Sequence, residues 1–182
     1  MSINPFGLIN YELASHLYNA SGRDLIVEYS IFESSGSGVP WNLGVSRQEE
    51  ELIDAVFDWV ESFTQLEFVE TESTYADINI WCTDFFVDEN GYIDDSLRGV
   101  SIPNDWGFDI IWADEYGSEL SVDEAEIICH EILHSLGLDH PYGDGGHAGY
   151  TSFDTIMSYN DLDPGFNPPT FSDMQALQFL WG

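Results

Sequence analysis

The feature that most restricts the fold is the segment of residues 130–140, which reads HEILHSLGLDH. His130 and His134 are four positions apart, so on an α-helix their imidazole rings project from one face about one turn apart. Gly137 permits a left-handed turn at the end of that helix, because glycine adopts positive φ at little cost. The turn returns the chain, so that His140 can approach the other two rings. The segment therefore predicts a helix, a sharp bend and a returning loop.

Three imidazoles that meet at one point are typical of a zinc centre. Zinc binds histidine nitrogen at about 2.0 Å, and three protein ligands leave a position for water, as a catalytic site requires. Glu131 adjoins the first ligand, where a carboxylate can take a proton from the bound water and deliver it to a leaving amine. The extended pattern fixes five positions, and a chance match at a given start is less likely than about one in a million. We predict one catalytic zinc ion held by His130, His134 and His140, with Glu131 as the general base.

The same motif resembles the signature of the metzincin peptidases, which require a methionine turn downstream. Here residues 155–159 read TIMSY, and His140 is followed by proline. Together with the closing segment DMQALQFLWG, these residues are most similar to the catalytic domain of serralysins. The resemblance implies that the Met157 side chain forms a hydrophobic floor under the metal. It also implies that Tyr159 ligates zinc at rest and swings away to stabilise the oxyanion when substrate binds.

The resemblance is strong over about residues 99–182, weaker over 24–98 and absent before residue 24. By analogy, Val100, Ser101 and Ile102 belong to an antiparallel edge strand above the cleft, to which an extended peptide would add by main-chain pairing. An ordinary edge strand explains the same residues equally well. Serralysins continue into glycine-rich calcium repeats and an export signal, which this sequence lacks. A trimmed catalytic domain and a minimal free-standing form both remain open.

Periodicity and capping residues predict the other elements. Strands are expected at 25–32, 66–70, 76–82, 99–102 and 109–112. Capping boxes at Ser46 with Glu49 and at Ser121 with Glu124 open helices over 47–63 and up to about Leu136. Ser172 with Gln175 is expected to cap a last helix that ends near Leu180. The order favours an α+β fold of the zincin type: a twisted mixed sheet with an antiparallel edge strand, an active-site helix, a methionine turn and a C-terminal helix. One domain is expected over 1–182, with an upper part of about 1–140 and a lower part of about 141–182.

The charge balance limits the partners. Three arginines and no lysine stand against 34 acidic residues, which gives a formal charge of −31. Phosphate groups need cations as partners, so nucleic acid and anionic membrane surfaces are excluded. The expected partner is a polypeptide substrate, and the expected state is a monomer. The first residues lack the basic and apolar regions of a signal peptide. The resemblance therefore implies a bacterial protein exported by another route.

Other candidate sites are weaker. The loop 88–94, DENGYID, resembles part of an EF-hand, but aligning its glycine puts Phe86 and Leu97 where carboxylates are needed. Whether the chain binds calcium is thus left open, because no specific motif supports it. Cys82 and Cys129 are expected to be buried thiols, although a single bridge remains open. His147 is interpreted as a loop histidine and His16 as a lone surface or core histidine.

The functional prediction is a zinc-dependent endopeptidase that hydrolyses internal bonds of extended polypeptides. Two alternatives remain. One is a catalytically silent zinc-binding or adhesion module that keeps the site for stability. The other is a zinc amidohydrolase that acts on non-protein amides, against which the edge strand and methionine turn argue.

Overall fold

Five short strands form one mixed sheet in the computed structural model, which describes residues 3–38, 41–114, 117, 119–160 and 165–182. The strands are β1 Ile26–Ile31, β2 Glu67–Glu70, β3 Ile78–Thr83, β4 Gly99–Pro103 and β5 Phe108–Ala113. Their order is β2-β1-β3-β5-β4. All neighbours are parallel except β4 and β5. The prediction of a mixed sheet with an antiparallel edge strand is confirmed.

The sheet is covered on both faces, because successive side chains of a strand point to opposite sides. Every residue of β3 is buried. Ile80 and Cys82 belong to the main core, whereas Trp81 lies in a smaller cluster with Phe32 and Ile111. The burial of β3 on both faces is thus that of a central parallel strand.

Four α-helices accompany the sheet in the described part of the chain: α1 Tyr11–Ala20, α2 Arg47–Glu61, α3 Val122–Ser135 and α4 Phe171–Trp181. Both predicted capping boxes are present at the starts of α2 and α3. In each box the serine side chain accepts from the backbone N–H three residues on, and the glutamate there accepts from the serine N–H. These reciprocal bonds satisfy donors that a helix start leaves unpaired. The helix that carries the histidine motif therefore begins where the sequence predicts.

One helix was not among the predicted elements, and one predicted cap is wrong. The helix α1 lies before residue 24, where no element was predicted, and is capped by Asn10, whose Oδ1 accepts from Glu12 and Leu13 N–H. The cap of α4 is Thr170 rather than Ser172, which lies inside the helix. The Thr170 hydroxyl accepts from Ser172 N–H, and Asp173 accepts from Thr170 N–H.

Two further findings concern the thiols and the membrane. Cys82 and Cys129 are both free and buried, so the bridge that the sequence left open does not form. Burial raises the pKa of each thiol to about 12, which keeps both in the unreactive thiol form. None of the described helices has the length and apolar character needed to cross a bilayer.

Candidate metal centre

The three histidines of the motif converge on one point. His140 Nε2 lies 3.3 Å from His130 Nε2 and 3.3 Å from His134 Nε2. Two nitrogens bound tetrahedrally to one zinc ion at about 2.0–2.1 Å lie about 3.3–3.4 Å apart. The three rings therefore form a group that could hold a metal ion, and their spacing fits zinc.

Backbone carbonyls fix the tautomers of the two helical histidines. His130 Nδ1 donates to the carbonyl of Ile156 at 2.9 Å, and His134 Nδ1 donates to the carbonyl of Leu138 at 2.8 Å. A neutral imidazole that donates from Nδ1 keeps its lone pair on Nε2. Such a bond to the second nitrogen is the usual way in which proteins orient a metal-binding histidine.

The site keeps the rings neutral. Burial, followed by the charge of the neighbouring His134 ring, lowers the pKa of His130 to about 3. Burial likewise lowers the pKa of His134 to about 4 and shifts that of His140 downward. Metal ligation needs the neutral form, so the rings are in the binding form at neutral pH.

The position of His140 is set by the bend at Gly137, which packs against α1 and α4. Gly137 has a φ of 99°, and a Cβ there would lie 2.7 Å from the Cβ of Ala14 in α1. The backbone after the bend pairs with the N-terminal segment, because Asn10 N–H donates to the carbonyl of Gly137 and Asp139 N–H donates to the carbonyl of Leu8. The bend therefore needs glycine for both its conformation and the space.

Sequence reasoning missed a polar contact that supports this bend. Asp139 Oδ1 accepts from the backbone N–H of His140 at 2.7 Å, and its Oδ2 accepts from Asn10 Nδ2 at 3.0 Å. Asn10 thus both caps α1 and holds the loop of the third histidine. The sequence N-Y-E-L at residues 10–13 signals a helix start, but its partner 129 residues away could not be found from sequence.

Glu131 is not one of the three converging donors and lies in the wall of an adjacent cleft. This cleft has a volume of about 440 Å³ and is also lined by His130 and Tyr159. The Glu131 side chain is buried, and this burial raises its pKa to about 8. A carboxyl group whose pKa lies near neutrality can both accept and deliver a proton.

The predicted methionine turn lies directly behind His130. The carbonyl that orients His130 belongs to Ile156, and the N–H of Ile156 donates to Asp173 of α4 at 3.2 Å. The Thr155 hydroxyl also donates to Asp173. Met157 is fully buried in the main core. Its role as a floor for the metal remains a prediction.

Tyr159 lies beside the three rings and is 64% exposed. Its ring centre is 4.6 Å from that of His140 and 5.6 Å from that of His130. Partial burial, then the carboxyl groups of Glu131 and Asp139, raises the pKa of Tyr159. The tyrosine is therefore close enough to the rings to take part in the site, while its ligand role remains a prediction.

The residues predicted to bind substrate lie on the outer strand of the sheet. Val100, Ser101 and Ile102 are in β4, which pairs only with β5 among the described strands. Gly99, at the start of β4, lines the same cleft as Glu131. The placement suits an added peptide strand, although a substrate role for these three residues is untested.

The other candidate sites of the sequence lie apart from the three histidines. His16 Nε2 contacts the Gly107 carbonyl at 2.8 Å, and His147 belongs to none of the donor groups found in the described chain. Asp88 and Asp94 accept hydrogen bonds within their own loop. A carboxylate trio in which Glu33 and Glu70 are exposed and Glu50 is half-buried is close enough to share a cation. Exposed acidic groups of this kind are common without one, so calcium gains no specific site.

Comparison of the sequence with models of known protein families finds no match, and comparison with curated proteins finds none either. What the chain does is therefore inferred from the residues and geometry of the site itself.

Proposed function

We propose that this chain is a zinc-dependent endopeptidase with a metzincin-type centre. One observation carries the proposal: three Nε2 atoms meet at the spacing of a single zinc ion, with two of the rings oriented by backbone carbonyls. A closed structural site would have a fourth protein ligand, whereas three histidines leave a position for a reactant. A zinc ion held there supplies a Lewis acid that polarises a carbonyl and lowers the pKa of water.

Glu131 is the acid–base residue of the proposed reaction. It lines the cleft beside His130, and its carboxyl group is shielded from water. In the proposed reaction it accepts a proton from the attacking water and gives that proton to the leaving amine. The edge strand β4 holds the substrate main chain by strand addition. Tyr159 donates a hydrogen bond from its phenolic hydroxyl to the oxyanion that develops at the scissile carbonyl.

The direct test replaces Glu131 with glutamine. Glu131→Gln keeps the shape of the side chain and the three histidines but cannot accept a proton, so peptide hydrolysis falls by about 10²- to 10⁴-fold. Zinc content, measured by elemental analysis, stays near one per chain. The substrate is a proteome-derived peptide library, digested with and without chelator.

A pair of histidine variants provides the control. His134→Ala removes a ligand and is expected to abolish stoichiometric zinc binding, whereas His147→Ala removes a histidine outside the donor group and leaves zinc and activity intact. Near-normal hydrolysis by Glu131→Gln would remove the general-base assignment. Stoichiometric zinc with no cleavage by the wild-type protein would favour the silent zinc-binding module.

A further inference from the structure

The cleft beside the metal centre follows one face of α3. Asp123, Glu126, Ile127, His130 and Glu131 all line it, and their spacing is that of a single helical face. Glu126 precedes His130 by four residues, which is about 6 Å along the helix axis. The cleft therefore extends from the metal centre toward the N-terminus of α3, by a distance that suits a long side chain.

The lining of this cleft is acidic. Glu126 Oε1 accepts from the backbone N–H of Asn167 at 2.5 Å and from its Nδ2 at 2.9 Å, so the carboxylate is held against the opposite wall. Asp123 lies one turn closer to the helix start. Among the described lining residues, Arg98 is the one cationic side chain, so the carboxylates of Asp123 and Glu126 outnumber it.

The buried hydroxyl of Ser152 in the same wall lacks a hydrogen-bond partner within the described part of the chain. Ser152 is 3% exposed and lines the cleft, and its Oγ has no hydrogen-bond partner among the described residues. Buried polar groups are nearly always paired, so the partner of an unpaired one at the wall of a cavity is a molecule that occupies the cavity, either a water or a ligand. An N–H group of a substrate side chain would be such a partner.

Apolar side chains complete the cleft. Ile127 and Ile156 line it beside the acidic groups, and they can cover the aliphatic part of a lysine or arginine side chain. We infer that this cleft is the specificity pocket for a basic side chain next to the scissile bond, an inference that rests on the proposed peptidase function. The formal charge of −31 acts in the same direction, because it attracts cationic polypeptides at low salt.

The test compares two ligands that differ only in charge. Two short peptides carry a zinc-binding hydroxamate and differ at the adjacent residue, which is arginine in one and its neutral isostere citrulline in the other. Calorimetry on the zinc-loaded protein is expected to show that the arginine ligand binds about five- to tenfold more tightly. Combining Asp123→Asn with Glu126→Gln removes both negative charges and is expected to remove this advantage. The amide of the introduced glutamine keeps an oxygen that can accept from Asn167, so the wall of the cleft should keep its shape.

Asp58→Asn is the matched control. Asp58 is exposed on α2, outside the cleft, so its substitution changes the net charge and should leave the arginine advantage intact. Equal binding of the two ligands by the wild-type protein would overturn the pocket assignment, as would an advantage that survives the two cleft substitutions. Digestion of the peptide library gives a second readout, in which lysine and arginine are enriched on one side of the cut bonds. If neither ligand binds and no peptide is cut, the proposed function itself fails, and the pocket fails with it.

Discussion

Gly145 illustrates how a single residue outside the motif sets the geometry of the centre. A Cβ at this position would overlap the Cδ2 and Cε2 atoms of Tyr159, which leaves no room for any side chain. The Gly145 carbonyl also accepts from Tyr159 N–H at 2.8 Å. The tyrosine ring therefore occupies the space that a side chain at residue 145 would need, and this glycine allows the ring to lie beside His140.

We predict that Gly145→Ala displaces Tyr159 and acts like the loss of its hydroxyl. Hydrolysis is expected to fall on the order of 10²-fold, as for Tyr159→Phe. In the copper(II)-loaded protein, charge-transfer absorption from a Tyr159 phenolate should be absent in Tyr159→Phe and weakened in Gly145→Ala. Gly146→Ala is the control, because a Cβ there meets only Asp144 Oδ1, at 3.5 Å. Unchanged absorption and activity in Gly145→Ala would contradict the prediction.

At the scale of single residues, the sequence predicts the metal ligands but not the residues that hold or surround them. The spacing of His130, His134 and His140 defines a geometry, because four residues on a helix correspond to one turn. Asn10 and Ser152 carry no such local signature, since their significance depends on residues far away in the chain. The sequence therefore names the donor atoms and leaves out the groups that hold or surround them.

Among the elements, α4 is connected to the metal centre through the methionine turn. Asp173 is fully buried and accepts from Thr155, from Ile156 N–H and from Thr170 N–H. Because the carbonyl of Ile156 in turn accepts from His130, a single residue, Ile156, links the cap of α4 to the first histidine. The C-terminal helix thus has a role in the site besides packing.

We expect Asp173→Asn to weaken both the fold and the centre. The amide has one acceptor oxygen instead of two, so a buried donor loses its partner and the free energy of unfolding falls by about 3 kcal/mol. Zinc affinity should fall about 10- to 100-fold, as for other groups that orient a ligand. Urea unfolding and competition with a chelating dye measure the two effects. Asp58→Asn should change neither, and a destabilised Asp173→Asn protein with normal zinc affinity would show that the link does not reach the metal.

Strong local signals explain which elements could be predicted. The boundaries of α2 and α3 follow from serine and glutamate residues that bond within one turn. The helix α1 escaped prediction because, of its ten residues, only Ala14 and Leu17 are buried. A ten-residue helix with two buried residues is marginal by itself, and its packing against the bend at Gly137, a contact distant in sequence, stabilises it.

At the scale of the whole molecule, the stability of the metal-free protein falls toward both low and high pH, because different buried groups titrate at the two ends. The imidazoles of His130 and His134 have lowered pKa values, so their contribution to stability is lost as the pH falls below their ordinary value of 6.5. Burial raises the pKa of Glu49 and Glu131 above the ordinary 4.5, so their contribution to stability is lost as the pH rises through the raised values.

The metal-free protein is therefore expected to be most stable between about pH 4 and pH 6.5. Below this range proton uptake by the histidines favours the unfolded chain, and above it ionisation of the buried carboxyl groups does the same. Urea unfolding in chelator, followed by tryptophan fluorescence from about pH 3.5 to 8.5, measures this maximum. Zinc should move it to higher pH, because the ion binds neutral imidazole. A maximum at or above about pH 7.5 without metal would contradict the expectation.

The pairing of residues 8–10 with residues 137–139 means that the histidine motif is not a portable unit. A graft of α3 and its bend onto another scaffold would transplant all three imidazoles. It would leave behind the N-terminal stretch that orients the third, and His140 would then sample many positions. A designer who wished to borrow this centre would have to copy two distant pieces of chain together.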